Sequence, residues 1–156
     1  KIEWLTEDLG VDEAINYKEA DVRSAVKEAT PEGVDVYFDN VGGPVTDAVF
    51  TRLNVRARVA VCGQIDQYNA TEVPMGPRKL GMLIQTRATV EGLLVSDFAD
   101  RFAEASKRLG SWVASGDLQY RETVTEGIEN APDAFLGLFS GENIGKQLVR
   151  VGERDA

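Results

Sequence analysis

Residues 34–63 read VDVYFDNVGGPVTDAVFTRLNVRARVAVCG. The opening run, 34–40, is β-branched and aromatic, which predicts a strand. Val41-Gly42-Gly43-Pro44 is a turn, and Pro44 suits the first position of a helix expected to run to about Asn54. The run 58–63 (RVAVCG) predicts another buried strand.

Upstream, residues 1–10 have helix-forming composition and stop on Gly10, with nothing ahead of Lys1 to cap them. The chain reads as begun inside an element, as a fragment would be. Residues 11–17 (VDEAINY) predict a short strand. Residues 19–30 carry Val22, Ala25, Val26 and Ala29 at helical spacing, stopped by Pro31 and Gly33.

Downstream, residues 64–78 form a loop broken by Pro74, Gly76 and Pro77, and 89–95 (TVEGLLV) predict a strand. Asp97 is placed to cap a helix whose stripe of Phe98, Phe102, Ala105, Leu109, Trp112 and Val113 reads as core. Gly116 ends it. An extended stretch over 118–125, a short helix over 132–139 and a last strand over 146–151 complete the chain. Short apolar strands alternating with helices predict an α/β fold: a parallel sheet with flanking helices. Tyr17, Asn40 with Gly42 and Gly43, and Gly63 follow the strands. The carboxyl ends of strands in open α/β sheets are where ligands bind.

The 156 residues are 43% hydrophobic and 28% charged, which is a globular composition. A net charge of −9 disfavours nucleic acid and anionic membrane surfaces as partners. No apolar run reaches the ~18–20 residues of a membrane helix, and no secretory signal is visible. There is one cysteine, Cys62, and no histidine. An internal disulfide is therefore excluded, and a reducing, cytoplasmic compartment is expected. The same count excludes zinc sites built on His or Cys clusters, and any mechanism with a histidine base.

Four stretches resemble one family in register over essentially the whole chain. They are Ile15-Asn16-Tyr17-Lys18, Asp35 through Gly43, Val61 through Ile65 with Tyr68-Asn69, and Gly141-Glu142-Asn143-Ile144-Gly145-Lys146. They resemble the zinc-independent medium-chain dehydrogenase/reductases, in the branch of NADP-dependent prostaglandin and alkenal reductases. The resemblance implies NADPH-dependent reduction of the carbon–carbon double bond of α,β-unsaturated aldehydes and ketones. It also implies a homodimer and no metal. Members of the family are about twice this length, so the chain looks like the second half of such an enzyme, inactive alone. Residues 1–116 would then be a partial Rossmann-like nucleotide-binding domain without its first strands. Residues 117–156 would be the segment returning to the catalytic domain.

The resemblance also assigns residues. Tyr17 matches a tyrosine at the adenosine end of NADPH, and Lys1 falls near a lysine that pairs with the 2′-phosphate. Asn40 matches a ribose or nicotinamide contact, while Gly42 and Gly43 serve the turn. Cys62 reads physically as a small buried residue. In the family it and Gly63 line the cofactor through the backbone. Leu93, Leu94 and Val95 match a strand whose backbone faces the nicotinamide carboxamide, in a region that pairs two subunits. Asn143 matches an asparagine reaching the cofactor from the returning chain. Tyr68 matches a tyrosine near nicotinamide and substrate, and is the catalytic candidate. Two alternatives stand beside this reading: a quinone oxidoreductase of the same superfamily, and a non-catalytic nucleotide-binding or dimerisation module.

Overall fold

The computed structural model describes residues 1–152. They form two compact units, one of Val11–Phe102 with Ile2, the other of Glu3–Gly10 with Lys1 and the chain from Ala103 onward.

In the first unit, helix α1 (Val22–Ala29) begins where the Asp21 carboxylate accepts the backbone N–H of Ser24 at 2.9 Å. Strand β1 (Val34–Asp39) leads into helix α2 (Gly43–Phe50), with proline in its first turn as expected. Strand β2 is Leu53–Val61, helix α3 is Gly81–Thr86 and strand β3 is Thr89–Gly92. The sheet order is β1-β2-β3 and both pairings are parallel. The expected α/β class therefore holds, with the helices as crossovers.

The core lies on one face of this sheet. Val26 of α1 and Ala48, Val49 and Phe50 of α2 pack against Leu53, Ala57 and Val59 of β2. Side chains alternate along a strand, so Arg58 and Ala60 point to the other face. On that face Val36 and Phe38 of β1 are 60% and 58% exposed.

Several expectations are corrected. Residues 11–17 form no strand. The Asn16 carbonyl instead accepts the N–H groups of Glu19 and Ala20 at 3.1 and 3.0 Å, turning the chain toward α1. Helix α2 stops at Phe50 rather than near Asn54. The Thr51 hydroxyl donates back to the Ala48 carbonyl at 2.7 Å, and the Arg52 carbonyl already accepts Val34 N–H at 2.9 Å. Strand β2 therefore begins at Leu53, ahead of 58. A bulge absorbs the mismatch: Leu53 opposes Val34 and Arg58 opposes Val36, with Arg56 at φ 65° between them. Helix α3 falls in a stretch with no helix expected, and it ends on Arg87 in the left-handed region.

In the second unit, a π-helical turn spans Trp4–Asp8, and Gly10 follows at φ 68°. Helix α4 is Phe102–Ser115; the 3-10 segment Val95–Arg101 before it, kinked at Phe98, belongs to the first unit. Asp97 lies inside that segment and makes no cap. The stripe read as core is not buried: Phe102 and Leu109 are 46% and 48% exposed. Periodicity reports an apolar face but not what covers it. Strands β4 (Glu122–Glu126) and β5 (Lys146–Arg150) pair in parallel, joined through helix α5 (Ala131–Ser140). No helix among the described residues is long and apolar enough to cross a membrane.

The packing of α2 on β2 makes a direct prediction. Phe50→Ala should lower unfolding free energy by about 4 kcal/mol, read by urea denaturation. A loss below about 1 kcal/mol would mean that the Phe50 ring is not part of the core.

Candidate functional site

The carboxyl ends of β1, β2 and β3 form one edge. It is held by backbone bonds that run across the strands: Cys62 and Gly63 N–H both donate to the Asp39 carbonyl, at 2.7 and 3.1 Å, and Leu93 N–H donates to Val61 at 2.8 Å. Asn40, Cys62, Gly63, Leu93 and Leu94 are thereby brought together just past the strand ends. Leu93 and Leu94 were expected within a strand, but β3 stops at Gly92, and Val95 starts the 3-10 segment. Cys62 is exposed rather than buried, because the alternation of β2 carries it to the face away from the core.

Asn40 leaves β1 exposed, and among the described residues its side-chain amide has no hydrogen-bond partner. It lies against Gly63: a Cβ there would meet Asn40 Oδ1 at 2.5 Å and its carbonyl at 3.1 Å. A hollow of about 480 Å³ lies over the open sheet face beside this edge, lined by Val36, Arg58, Ala60, Gly92, Leu94 and Phe98. Another of about 930 Å³ opens past the start of α2, against Gln64, Asp66 and Gln67.

Tyr68 follows a 3-10 turn, Ile65–Gln67, that leaves β2. Its oxygen accepts the Gln64 backbone N–H at 3.1 Å, so the phenol proton remains free to be donated. Tyr17 sits in an exposed turn, outside the hydrogen bonds that join the edge. Lys1 and Asn143 belong to the second unit. Lys1 is exposed, with its carbonyl accepting Leu5 N–H at 3.0 Å. Asn143 donates from Nδ2 to the Gly145 carbonyl at 2.7 Å in the turn before β5.

Sequence reasoning passed over Asp39. Its carboxylate is 0% exposed. Oδ1 accepts Gly42 N–H at 2.9 Å, Val41 N–H at 3.1 Å and the Tyr37 hydroxyl at 3.1 Å. Oδ2 accepts the Thr46 hydroxyl at 2.6 Å and Gln64 Nε2 at 3.3 Å. Burial opposes ionisation, but the bonds from Thr46, Gly42, Val41 and Tyr37 outweigh it and hold the carboxyl below its ordinary value. The Tyr37 phenol is pushed up to about 12, chiefly by burial, against its bond to Thr46 and with the Asp39 charge adding to the rise. A signal was present in the sequence: an aspartate at a strand end, with glycine and then threonine just beyond, can accept from the turn and from the next helix.

With this geometry in hand, the chain can be placed among known proteins. The zinc-binding dehydrogenase family model matches residues 1–111, and the chain belongs to that family. Within it, the chain falls in the zinc-independent branch of NADP-dependent reductases. It is 41% identical over 160 residues to the NADPH-dependent curcumin reductase of Escherichia coli (strain K12), covering 99% of this chain and 46% of that protein. It is 43% identical over 152 residues to the 2-alkenal reductase (NADP(+)-dependent) of Nicotiana tabacum, covering 97% of this chain and 44% of the other. The crystal structure of CurA from Vibrio vulnificus in complex with NADPH matches with a TM-score of 0.88 and 39% identity, over 97% of this chain and 47% of that one. The chain thus spans about half the length of these relatives. The family's name refers to zinc, yet this sequence has no His and one Cys. Among the described residues, no group of three or more His, Cys, Asp or Glu is placed to hold a metal ion.

Asp39→Asn tests the buried carboxylate. An asparagine oriented toward Val41 and Gly42 would aim its NH₂ at Gln64 Nε2, donor against donor, so a loss of about 2 kcal/mol is expected at neutral pH. Folding lowers this pKa, so the unfolded chain holds the proton more tightly. The stabilisation is complete above pH ~4 and is lost as pH falls through the folded value. Denaturant midpoints should therefore separate wild type from Asp39→Asn at pH ~7 and converge as pH falls through the folded value. A gap independent of pH would contradict the assignment.

Proposed function

We propose that this chain is the cofactor side of an NADPH-dependent reductase of α,β-unsaturated aldehydes and ketones. The observation that carries the reading is the carboxyl edge, where the Asn40 amide, without a hydrogen-bond partner among the described residues, lies in the space left by the missing Cβ of Gly63. The residues fit a nicotinamide nucleotide. The Asn40 amide both donates and accepts, as a ribose or carboxamide requires. Cys62, Gly63, Leu93, Leu94 and Val95 are assigned to line the cofactor through backbone along the same edge, the N–H groups of Cys62, Gly63 and Leu93 being already spent within it. Tyr17 is assigned to the adenosine end, Lys1 to the 2′-phosphate and Asn143 to an approach from the returning chain.

When bound, reduced nicotinamide supplies the hydride to the β-carbon of the substrate. The chain's part is to stabilise charge. Tyr68, with its proton free, donates to the carbonyl oxygen on which enolate charge develops. Residues 1–116 serve nucleotide binding and 117–156 return to a catalytic domain supplied by the rest of a longer protein. The protein is cytoplasmic and homodimeric. β3 is the last strand of the described sheet, and sheet continuation through it is the proposed mode of pairing.

The test uses the full gene product with NADPH, NADH, a set of alkenals and a set of quinones. NADPH should bind more tightly than NADH, and kcat/KM should be higher for alkenals. Higher values for quinones would move the assignment to a quinone oxidoreductase. A product that binds neither nucleotide would leave only a non-catalytic module. Gly63→Ala should weaken NADPH binding about tenfold by displacing Asn40. Tyr68→Phe should lower kcat about a hundredfold with little change in NADPH affinity. Equal kcat for Tyr68→Phe and wild type would remove Tyr68 from the mechanism.

A further inference from the structure

Gln64 touches three parts of the carboxyl edge at once. Its Nε2 donates to Asp39 Oδ2 at 3.3 Å, its Oε1 accepts from Gln67 Nε2 at 3.2 Å, and its backbone N–H donates to the Tyr68 hydroxyl at 3.1 Å. The turn it opens is tied to the exit of β1 by another bond, from Asp66 N–H to the Val41 carbonyl at 3.0 Å. Both positions at that exit are glycine. A Cβ on Gly42 would strike Gln64 Oε1, and one on Gly43 would strike Asp66 Oδ2. Both glycines have positive φ, 77° and 60°.

We infer that Asp39 and Gln64 form a positioning relay for Tyr68: the buried carboxylate holds the Gln64 side chain, and Gln64 holds the phenol oxygen. The anchor is rigid because the carboxylate is fully buried and satisfied from Val41, Gly42, Tyr37 and Thr46 as well. The tip is not rigid by itself, since Tyr68 is 68% exposed and follows a single turn. A hydroxyl so exposed keeps one orientation only if its neighbours impose it. The Gln64 N–H does so and leaves the phenol proton for another acceptor. A hydrogen bond accepted by the phenol oxygen also polarises the O–H toward donation. Asp39 and Gln64 thus act on the reaction through Tyr68.

The catalytic consequence rests on the proposed reductase function, but the geometric one does not, and the experiment separates them. Gln64→Met keeps the length of the side chain and removes both of its polar contacts. In the full gene product, a fluorotyrosine placed site-specifically at Tyr68 should give one narrow fluorine resonance without ligand, and Gln64→Met should shift or broaden it. In turnover, Gln64→Met should lower kcat about tenfold while the NADPH dissociation constant stays within about twofold. Tyr68→Phe should then cost far less in the Gln64→Met background than in wild type, because both changes remove one device. Gln64→Glu should also lower kcat near neutral pH, because its carboxylate would face that of Asp39. An unchanged fluorine resonance in Gln64→Met overturns the relay, as does full additivity of Gln64→Met and Tyr68→Phe. Absence of any enone turnover in wild type overturns the proposed function, and the fluorine measurement still decides the relay.

Discussion

A carboxylate with no solvent must find its donors in protein, and Asp39 finds them at the point where β1 ends. That requirement shapes the chain around it. Val41 and Gly42 turn their N–H groups back onto Oδ1, so the chain must reverse at once. Thr46 sits in the first turn of α2, so that helix must start immediately after the reversal. Gln64 arrives from the far end of β2, so the second strand must end level with the first. The Asp39 backbone carbonyl completes the arrangement by accepting both Cys62 and Gly63 N–H. One side chain therefore sets the reversal, the helix start and the level of the sheet edge.

The parts of the fold that were legible in the sequence are those whose signal is local. β1 is a continuous β-branched and aromatic run, and α1 repeats its apolar residues at helical spacing between an aspartate and a proline. The parts that were not legible depend on distant partners. β2 starts early because Val34 N–H meets the Arg52 carbonyl, a pairing that no window of sequence contains. α3 is only Gly81–Thr86, too short for periodicity to register, and its Leu83 packs on the core beside it. Residues 11–17 have strand-like composition, but a strand also needs a ladder, and here Asn16 spends its carbonyl on a turn instead.

Helix α4 separates two inferences that are easily merged. The spacing of Phe102, Leu109, Trp112 and Val113 correctly announced a helix. It did not establish burial, for which a covering surface is needed, and these side chains remain substantially exposed. The open face of the sheet carries the same lesson. Val36 and Phe38 are as apolar as the residues of the core, and only the alternation of the strand decides which side meets α2.

The candidate site was partly legible for a related reason. Where a site works through backbone, as proposed for Cys62, Gly63 and Leu93, almost any side chain suits, and residue identity says little. Identity matters only where a side chain must be absent or must stay free. Gly63 is the first case, since a methyl group there would press on Asn40. Asn40 is the second, an amide held at the edge without a hydrogen-bond partner among the described residues. Asn40 drew attention because an amide beside two glycines reads as a ligand contact. Asp39, one residue earlier, reads as an ordinary strand end, because its importance lies in desolvation. Desolvation is a property of the folded neighbourhood, and only the packing of Tyr37, Thr46 and Gln64 around the carboxylate creates it. The residue that contacts a ligand and the residue that orders the site can therefore be adjacent in sequence and differ completely in how visible they are.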